Sequence, residues 1–193
     1  MSRNEKIYTI IESGKFKGKK LLLPSLTSTR STKSIVKNCV FNVLRYILED
    51  KVFIECFGGS GVMAALALSN NALKAYVIEL DKDAYKIAYK NALSLNSNLE
   101  VLQGDCFELL DTLLKRQDKD IILYFDPPFH IRYGFEKIYE KLCAFLEKID
   151  LTRVKNIIFE HSSKIEICLN IKEFHKNKVK KFGNTTLSFY EKI

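Results

Sequence analysis

Val52-Phe53-Ile54-Glu55-Cys56-Phe57-Gly58-Gly59-Ser60-Gly61 is an almost unbroken apolar run that stops in glycines, and Val62 to Ser69 behind it is rich in Ala and Leu. A run without polar alternation reads as a strand buried on both faces, and a short apolar segment behind a glycine turn reads as a helix packed against it. Working outward, the unit repeats. Ala75 to Glu79 is the next strand and Lys82 to Leu95 the next helix; Leu99 to Gln103 is followed by a helix over Phe107 to Arg116; Ile121 to Phe125 is followed by one over Phe135 to Leu146; Asn156 to Glu160 is a fifth strand. This alternation predicts an α/β, Rossmann-like fold with a mainly parallel sheet and helices on both faces. In such sheets ligands sit beyond the carboxyl ends of the strands, near the topological switch. Lys164 to Ile171 and Thr185 to Tyr190 are expected to pair as terminal strands.

Upstream, Ile7 to Ile11 and Lys20 to Leu23 flank a basic turn, Gly14 to Gly18, and read as a β-hairpin ending at Pro24. A Ser/Thr-rich link follows. Ile35, Val36, Val40, Phe41, Val43, Leu44 and Ile47 then recur with helical spacing, which predicts a helix of about 13–15 residues. Residues 1–32 are therefore expected to form a hairpin extension with its link, and residues 33–193 the sheet domain.

The chain has 193 residues, 47% of them hydrophobic, enough for one domain with a sizeable core. No run approaches the ~20 apolar residues of a membrane span, and Met1 to Lys6 lacks the apolar stretch of a secretory signal, so a cytoplasmic location and no membrane partner are expected. Cys39, Cys56, Cys106, Cys143 and Cys168 are scattered and never form a C-x-x-C pair, and the three histidines are equally dispersed. Reduced, mostly buried thiols and no metal site are expected. The net charge of +8 is unevenly placed: residues 1–45 carry ten cations against two acids, which is the whole net charge, and residues 171–193 carry six against two. Basic ends around a mildly acidic centre fit a partner with a phosphate backbone, because clustered Lys and Arg gain affinity by releasing condensed counterions. Lys15, Lys17, Lys19 and Lys20, interleaved with Phe16 and two glycines, are the candidate residues for binding such a partner, with the Lys176–Lys181 cluster as a second group.

Three polar motifs lie at predicted strand ends. Gly59-Ser60-Gly61 lets the backbone approach a ligand closely at the start of a helix. Glu79, twenty residues beyond Gly59, suits a carboxylate accepting from a ribose diol. Asp105 can accept from an adenine amino group and the Cys106 N–H can donate to the ring, so these residues describe a site for an adenosine-bearing cofactor. The third motif is Asp126-Pro127-Pro128-Phe129. Two prolines cannot continue a central strand, so the chain leaves the sheet in one shape, with the Asp126 carboxylate and the Pro127 carbonyl side by side as acceptors and Phe129 available to stack. That trio holds a planar amino group. Gly59-x-Gly61-x-x-Ala64 also satisfies a dinucleotide fingerprint, but nothing in the sequence supplies a hydride-accepting pocket.

Assembled, the sequence resembles the RsmD-like family of bacterial ribosomal RNA guanine-(2-amino) methyltransferases, which modify the guanine at nucleotide 966 of 16S ribosomal RNA. Gly14-Lys15-Phe16-Lys17-Gly18-Lys19-Lys20-Leu21 is similar to the family's basic opening; Arg30-Ser31-Thr32 with Phe41-Asn42-x-Leu44 is similar to R-P-T…F-N-x-L; Cys56 to Gly61 is similar to D-x-F-A-G-S-G; Ile78-Glu79-Leu80-Asp81 is similar to I-E-x-D; Asp126-Pro127-Pro128-Phe129 matches D-P-P-F/Y; and Gly183 to Tyr190 resembles the closing strand. Ser31 replaces the usual proline, Asn38 a common Glu, and Glu55 the usual Asp before the turn. The resemblance implies a class I methyltransferase that uses S-adenosyl-L-methionine, releases S-adenosylhomocysteine, needs no metal, and acts on 16S ribosomal RNA or a 30S assembly particle rather than on DNA. It implies Asp126, Pro127 and Phe129 as the catalytic group, and Arg30, Thr32, Glu55, Phe57, Gly59, Ser60, Gly61, Glu79, Leu80, Asp105, Cys106 and Asp126 as cofactor-binding residues. Amino methyltransferases of adenine or of protein glutamine use similar tetrapeptides and remain alternatives, as does a ribosome-assembly factor with incidental activity.

Overall fold

The computed structural model describes residues 7–24, 34–128 and 137–193. The centre of the sheet is β3 (Val52–Cys56), buried at all five positions, with β6 (Ile121–Phe125), equally buried, parallel beside it. On the other side of β3 lie β4 (Lys74–Glu79) and then β5 (Leu99–Gln103), both parallel; beyond β6 lies β7 (Val154–Ser162), also parallel. The chain builds outward from β3 to β5 and then returns to the opposite flank, so the switch point falls between β3 and β6. The strands close with β10 (Thr185–Lys192), β9 (Phe174–Phe182) and β8 (Asn170–Ile171), all antiparallel to their neighbours, giving the order β5-β4-β3-β6-β7-β10-β9-β8.

Burial on both faces explains why β3 and β6 carry no alternation: helices cover each side. One face packs against α1 (Ser34–Leu44), α2 (Val62–Ser69) and α3 (Lys82–Leu95), with Val40, Leu66 and Ala88 in a core that includes Phe53 and Tyr124. The other packs against α4 (Cys106–Lys115) and α5 (Ile138–Leu146), with Leu110 and Leu142 in a core that includes Phe125 and Phe159. Each large apolar side chain buried this way contributes about 1.5–3 kcal/mol. Asp81 caps α3 by accepting from the N–H groups of Asp83 and Ala84 at 3.0 and 2.8 Å.

The hairpin extension forms its own sheet from β1 (Ile7–Ile10) and β2 (Lys20–Leu23), while Ile11 and Leu21 enter the α1–α3 core. Buried Asn91 of α3 ties it down. Its amide accepts from Leu22 N–H at 2.8 Å and donates to the carbonyls of Leu22 and Ser60, both at 2.9 Å, which couples the hairpin to the glycine turn.

Three expectations are corrected. Thr185 to Tyr190 pairs with β7 and β9, and of Lys164 to Ile171 only Asn170–Ile171 is a strand, pairing with β9 instead. The exposed lysines and Asn177 of β9 have weak strand preference, so residue pattern does not mark it; the Gly183-Asn184 turn joining it to β10, with Gly183 at φ 62, is its hairpin signal. The first helix has 11 residues rather than 13–15, because the chain turns after Leu44, with the N–H groups of Ile47 and Leu48 both bonding to its carbonyl. Finally, Cys143 and Cys168 are joined in a disulfide with Cα atoms 6.8 Å apart, while Cys39, Cys56 and Cys106 are free. α5 and the segment before β8 meet on one face of the sheet, which brings two cysteines distant in sequence together.

Candidate active site

The glycine turn needs its glycines for two distinct reasons. Gly58 lies against Val77, and a Cβ there would run into a Val77 methyl. Gly59 and Gly61 instead adopt left-handed backbone, φ 54 and 73, and among the described residues an added Cβ at Gly59 would meet nothing within 4 Å, so a ligand can lie against main chain there. Phe57, just before it, also has positive φ, 60°, an uncommon state for a bulky residue. Its ring meets Phe107 of α4 edge-on, centroids 6.5 Å apart. Behind the turn, Glu55 is 4% exposed and accepts from the Ala64 N–H at 2.7 Å, so it fixes the start of α2 rather than lining the opening. Burial pushes its carboxyl up to about 8 against the opposing pull of the Ala64 and Met63 amides.

At the tip of β4, Glu79 reaches back to the turn, accepting from Gly59 N–H at 2.6 Å and from Asp81 N–H at 2.7 Å. Burial raises its carboxyl above the ordinary range, partly offset by those two amides. Each carboxylate oxygen keeps a lone pair for a ligand hydroxyl. Leu80 beside it is 57% exposed, an apolar surface next to the acid. At the tip of β5, Asp105 caps α4, accepting from Phe107 N–H at 2.9 Å; the Cys106 N–H is the first of that helix and has no acceptor within it.

Asp126 follows β6, its N–H 3.4 Å from the Cys56 carbonyl, next to the turn. Asp105, Glu79, the turn and Asp126 thus lie at the ends of four adjacent strands, a row of three spacings, about 14 Å. Pro127 is buried and Pro128 partly so. Phe129, Arg30 and Thr32 lie outside the described residues.

Around Asp126 the structure assembles a polar layer that sequence reasoning missed. Tyr124 donates to buried Glu160 at 2.5 Å; His161 Nε2 meets Ser188 Oγ at 2.9 Å; the ring of Tyr139 stands edge-on to His161 with centroids 6.0 Å apart. Tyr124 and Glu160 are 36 residues apart, and strand periodicity reads both as ordinary sheet positions. A buried Glu at the end of an apolar strand was the only signal available. Among the described residues, no group of three His, Cys, Asp or Glu is placed to hold a metal ion.

The basic turn lies elsewhere. Lys15 N–H donates to the carbonyl of Ser69, the last residue of α2, at 2.8 Å, and Phe16 N–H to its hydroxyl at 3.0 Å. The adjoining cleft, about 290 Å³, is lined in part by Leu73 and Asn98, which precede β4 and β5. This is the amino-terminal end of the strands, a strand length of about 15–20 Å from Glu79. Lys15, Lys17, Lys19 and Lys20 are all exposed there, with the Lys15 and Lys19 ammoniums 5.1 and 5.0 Å from the centroid of Phe16. Lys180 and Lys181 sit at the other end: the Thr185 that follows their turn pairs with Ser162, the last residue of β7.

A family model described as "Conserved hypothetical protein 95" matches residues 9–191. Ribosomal RNA small subunit methyltransferase D of Buchnera aphidicola is 31% identical over 130 residues, 66% of this chain and 65% of that relative; the chain therefore spans just under two thirds of its length. The Bacillus subtilis protein YlbH is 26% identical over 186 residues, 93% of this chain and 97% of YlbH. The solved structure of Escherichia coli yhhF superposes with a TM-score of 0.75 at 26% identity, covering 96% of this chain and 98% of that one. The fold is that of class I methyltransferases.

Proposed function

This chain belongs to the RsmD-like methyltransferase family, conserved hypothetical protein 95, and from that premise we propose that it transfers a methyl group from S-adenosylmethionine to the exocyclic 2-amino group of a guanine in 16S ribosomal RNA, free or in an assembling 30S subunit. The observation that carries this reading is the row of strand ends: glycine turn, Glu79 and Asp105 on one side of the switch point and Asp126-Pro127 on the other. The residues fit the cofactor. Open main chain at Gly59 suits its amino-acid arm, Glu79 the ribose hydroxyls, Cys106 N–H and Asp105 the adenine edge, and Leu80 and Phe57 supply apolar surface.

When bound, the cofactor supplies an electrophilic sulfonium methyl. The acceptor nitrogen is a poor nucleophile because its lone pair is delocalised into the guanine ring. Asp126 and the Pro127 carbonyl, held by a rigid exit from β6, accept its two hydrogens, draw it toward tetrahedral geometry and aim the lone pair. Asp126 is also the acceptor for the proton the nitrogen sheds once the methyl has moved. Phe129 stacks on the base, which must leave any helix to reach the pocket. Lys180 and Lys181 are suited to phosphates near the pocket, and the Gly14–Gly18 turn to phosphates farther along the RNA.

The test is incubation with labelled S-adenosylmethionine and unmodified 16S RNA, free and in 30S particles, followed by mapping of the modified base. Label on a guanine 2-amino group is expected; label on an adenine amine or a glutamine amide instead overturns the substrate. Asp126→Ala should abolish transfer and leave cofactor binding nearly intact. Loss of binding with transfer surviving at saturating cofactor would sink the role given to Asp126.

A further inference from the structure

Tyr139, the second residue of α5, is 6% exposed, and its hydroxyl has no hydrogen-bond partner among the described residues. Burying such a group unpaired forfeits its hydrogen bond to water, and folded proteins leave few of them. Its surroundings are fixed. The ring abuts His161 edge-on, and that imidazole is held on both sides, Nδ1 at 3.0 Å from the Ser162 carbonyl and Nε2 at 2.9 Å from Ser188 Oγ. The Ser162 backbone is near the phenol but outside hydrogen-bonding geometry. Burial first, then the nearby Asp126 and Glu160 carboxylates, push the phenol above its ordinary range, so it stays a donor wherever the enzyme works. Glu160 already accepts from Tyr124, whereas Asp126 is the carboxylate to which the proposed function gives the substrate amine.

We propose that Tyr139 is a positioning residue for the transfer: with cofactor and substrate in place, its hydroxyl donates to the Asp126 carboxylate oxygen that does not hold the amino group. The inference rests on the amine-methylating reading of Asp126. A carboxylate pinned through one oxygen cannot rotate away from the amine, and a donor on that oxygen favours its ionised form.

Tyr139→Phe removes only the hydroxyl. Single-turnover transfer should fall about tenfold, as expected for a lost hydrogen bond to a charged group. Affinity for S-adenosylmethionine should be unchanged, and the thermal midpoint equal or higher. The acid limb of the pH–rate profile should move to higher pH, because Asp126 loses a donor. The other titrating groups around it, Glu55 on β3, Tyr124 on β6, and Glu160 and His161 on β7, are left in place, as is Lys176 of β9, whose charge acts on His161. A rate within twofold of wild type with an unmoved acid limb overturns the proposal. A lowered midpoint with an unmoved limb does so too, since it indicates packing alone. If the wild type methylates an adenine or a glutamine but no guanine, the guanine reading falls while the Tyr139→Phe ratio is still read on that amine; a wild type that methylates nothing overturns both.

Discussion

Replacing Glu55 by Gln should flatten the pH dependence of stability. Glu55 lies on the central strand at 4% exposure, and burial raises its carboxyl from an ordinary 4.5 to about 8. A raised folded value means that between those two pH values the native state holds a proton the unfolded chain has released. Stability is then full below about pH 4.5 and falls as pH rises toward 8. At about 1.4 kcal/mol per pH unit the interval corresponds to roughly 5 kcal/mol, and relaxation around the buried charge makes about 2–5 kcal/mol the realistic range. That is a large share of the roughly 5–15 kcal/mol by which domains are stable. Glu55→Gln keeps an acceptor for the Ala64 N–H and removes the titration. Urea unfolding of both proteins between about pH 5.5 and 8.5 covers roughly 2.5 units of that window, so the difference should grow in favour of Gln by about 2–3 kcal/mol. A difference constant to within about 0.5 kcal/mol across that range would refute the assignment of a buried, neutral Glu55.

Gly58→Ala should lower the thermal midpoint and weaken cofactor binding by calorimetry, since the new methyl collides with Val77 at an estimated cost of about 1–3 kcal/mol; an unchanged midpoint would contradict the packing described. Changing Lys15, Lys17, Lys19 and Lys20 together to Ala should weaken RNA binding and reduce the slope of log K against log salt by about 3–4 if each meets a phosphate. Cofactor affinity should not move, because the turn sits at the opposite end of the strands. An unaltered slope would make these lysines solvated surface cations.

The amino-acid sequence by itself determined the parallel strands, the glycine turn and the amine-holding exit, because each is written in local chemistry. Runs such as Ile121–Phe125 lack alternation since both faces are covered, Gly59 and Gly61 supply left-handed backbone, and Asp126-Pro127-Pro128 cannot continue a ladder. Strand β9 was less legible, since its lysines are held in the sheet by pairing with β10 rather than by their own preference. Only the tertiary structure decided what meets across the chain. It seats the basic turn on Ser69, away from the site, sets Tyr124 on Glu160, stands Tyr139 against His161, and joins Leu22 to Ser60 through Asn91. Those contacts link residues 22 to 69 positions apart. Periodicity reports which face of an element is buried, but which distant side chain it meets there depends on how the elements pack.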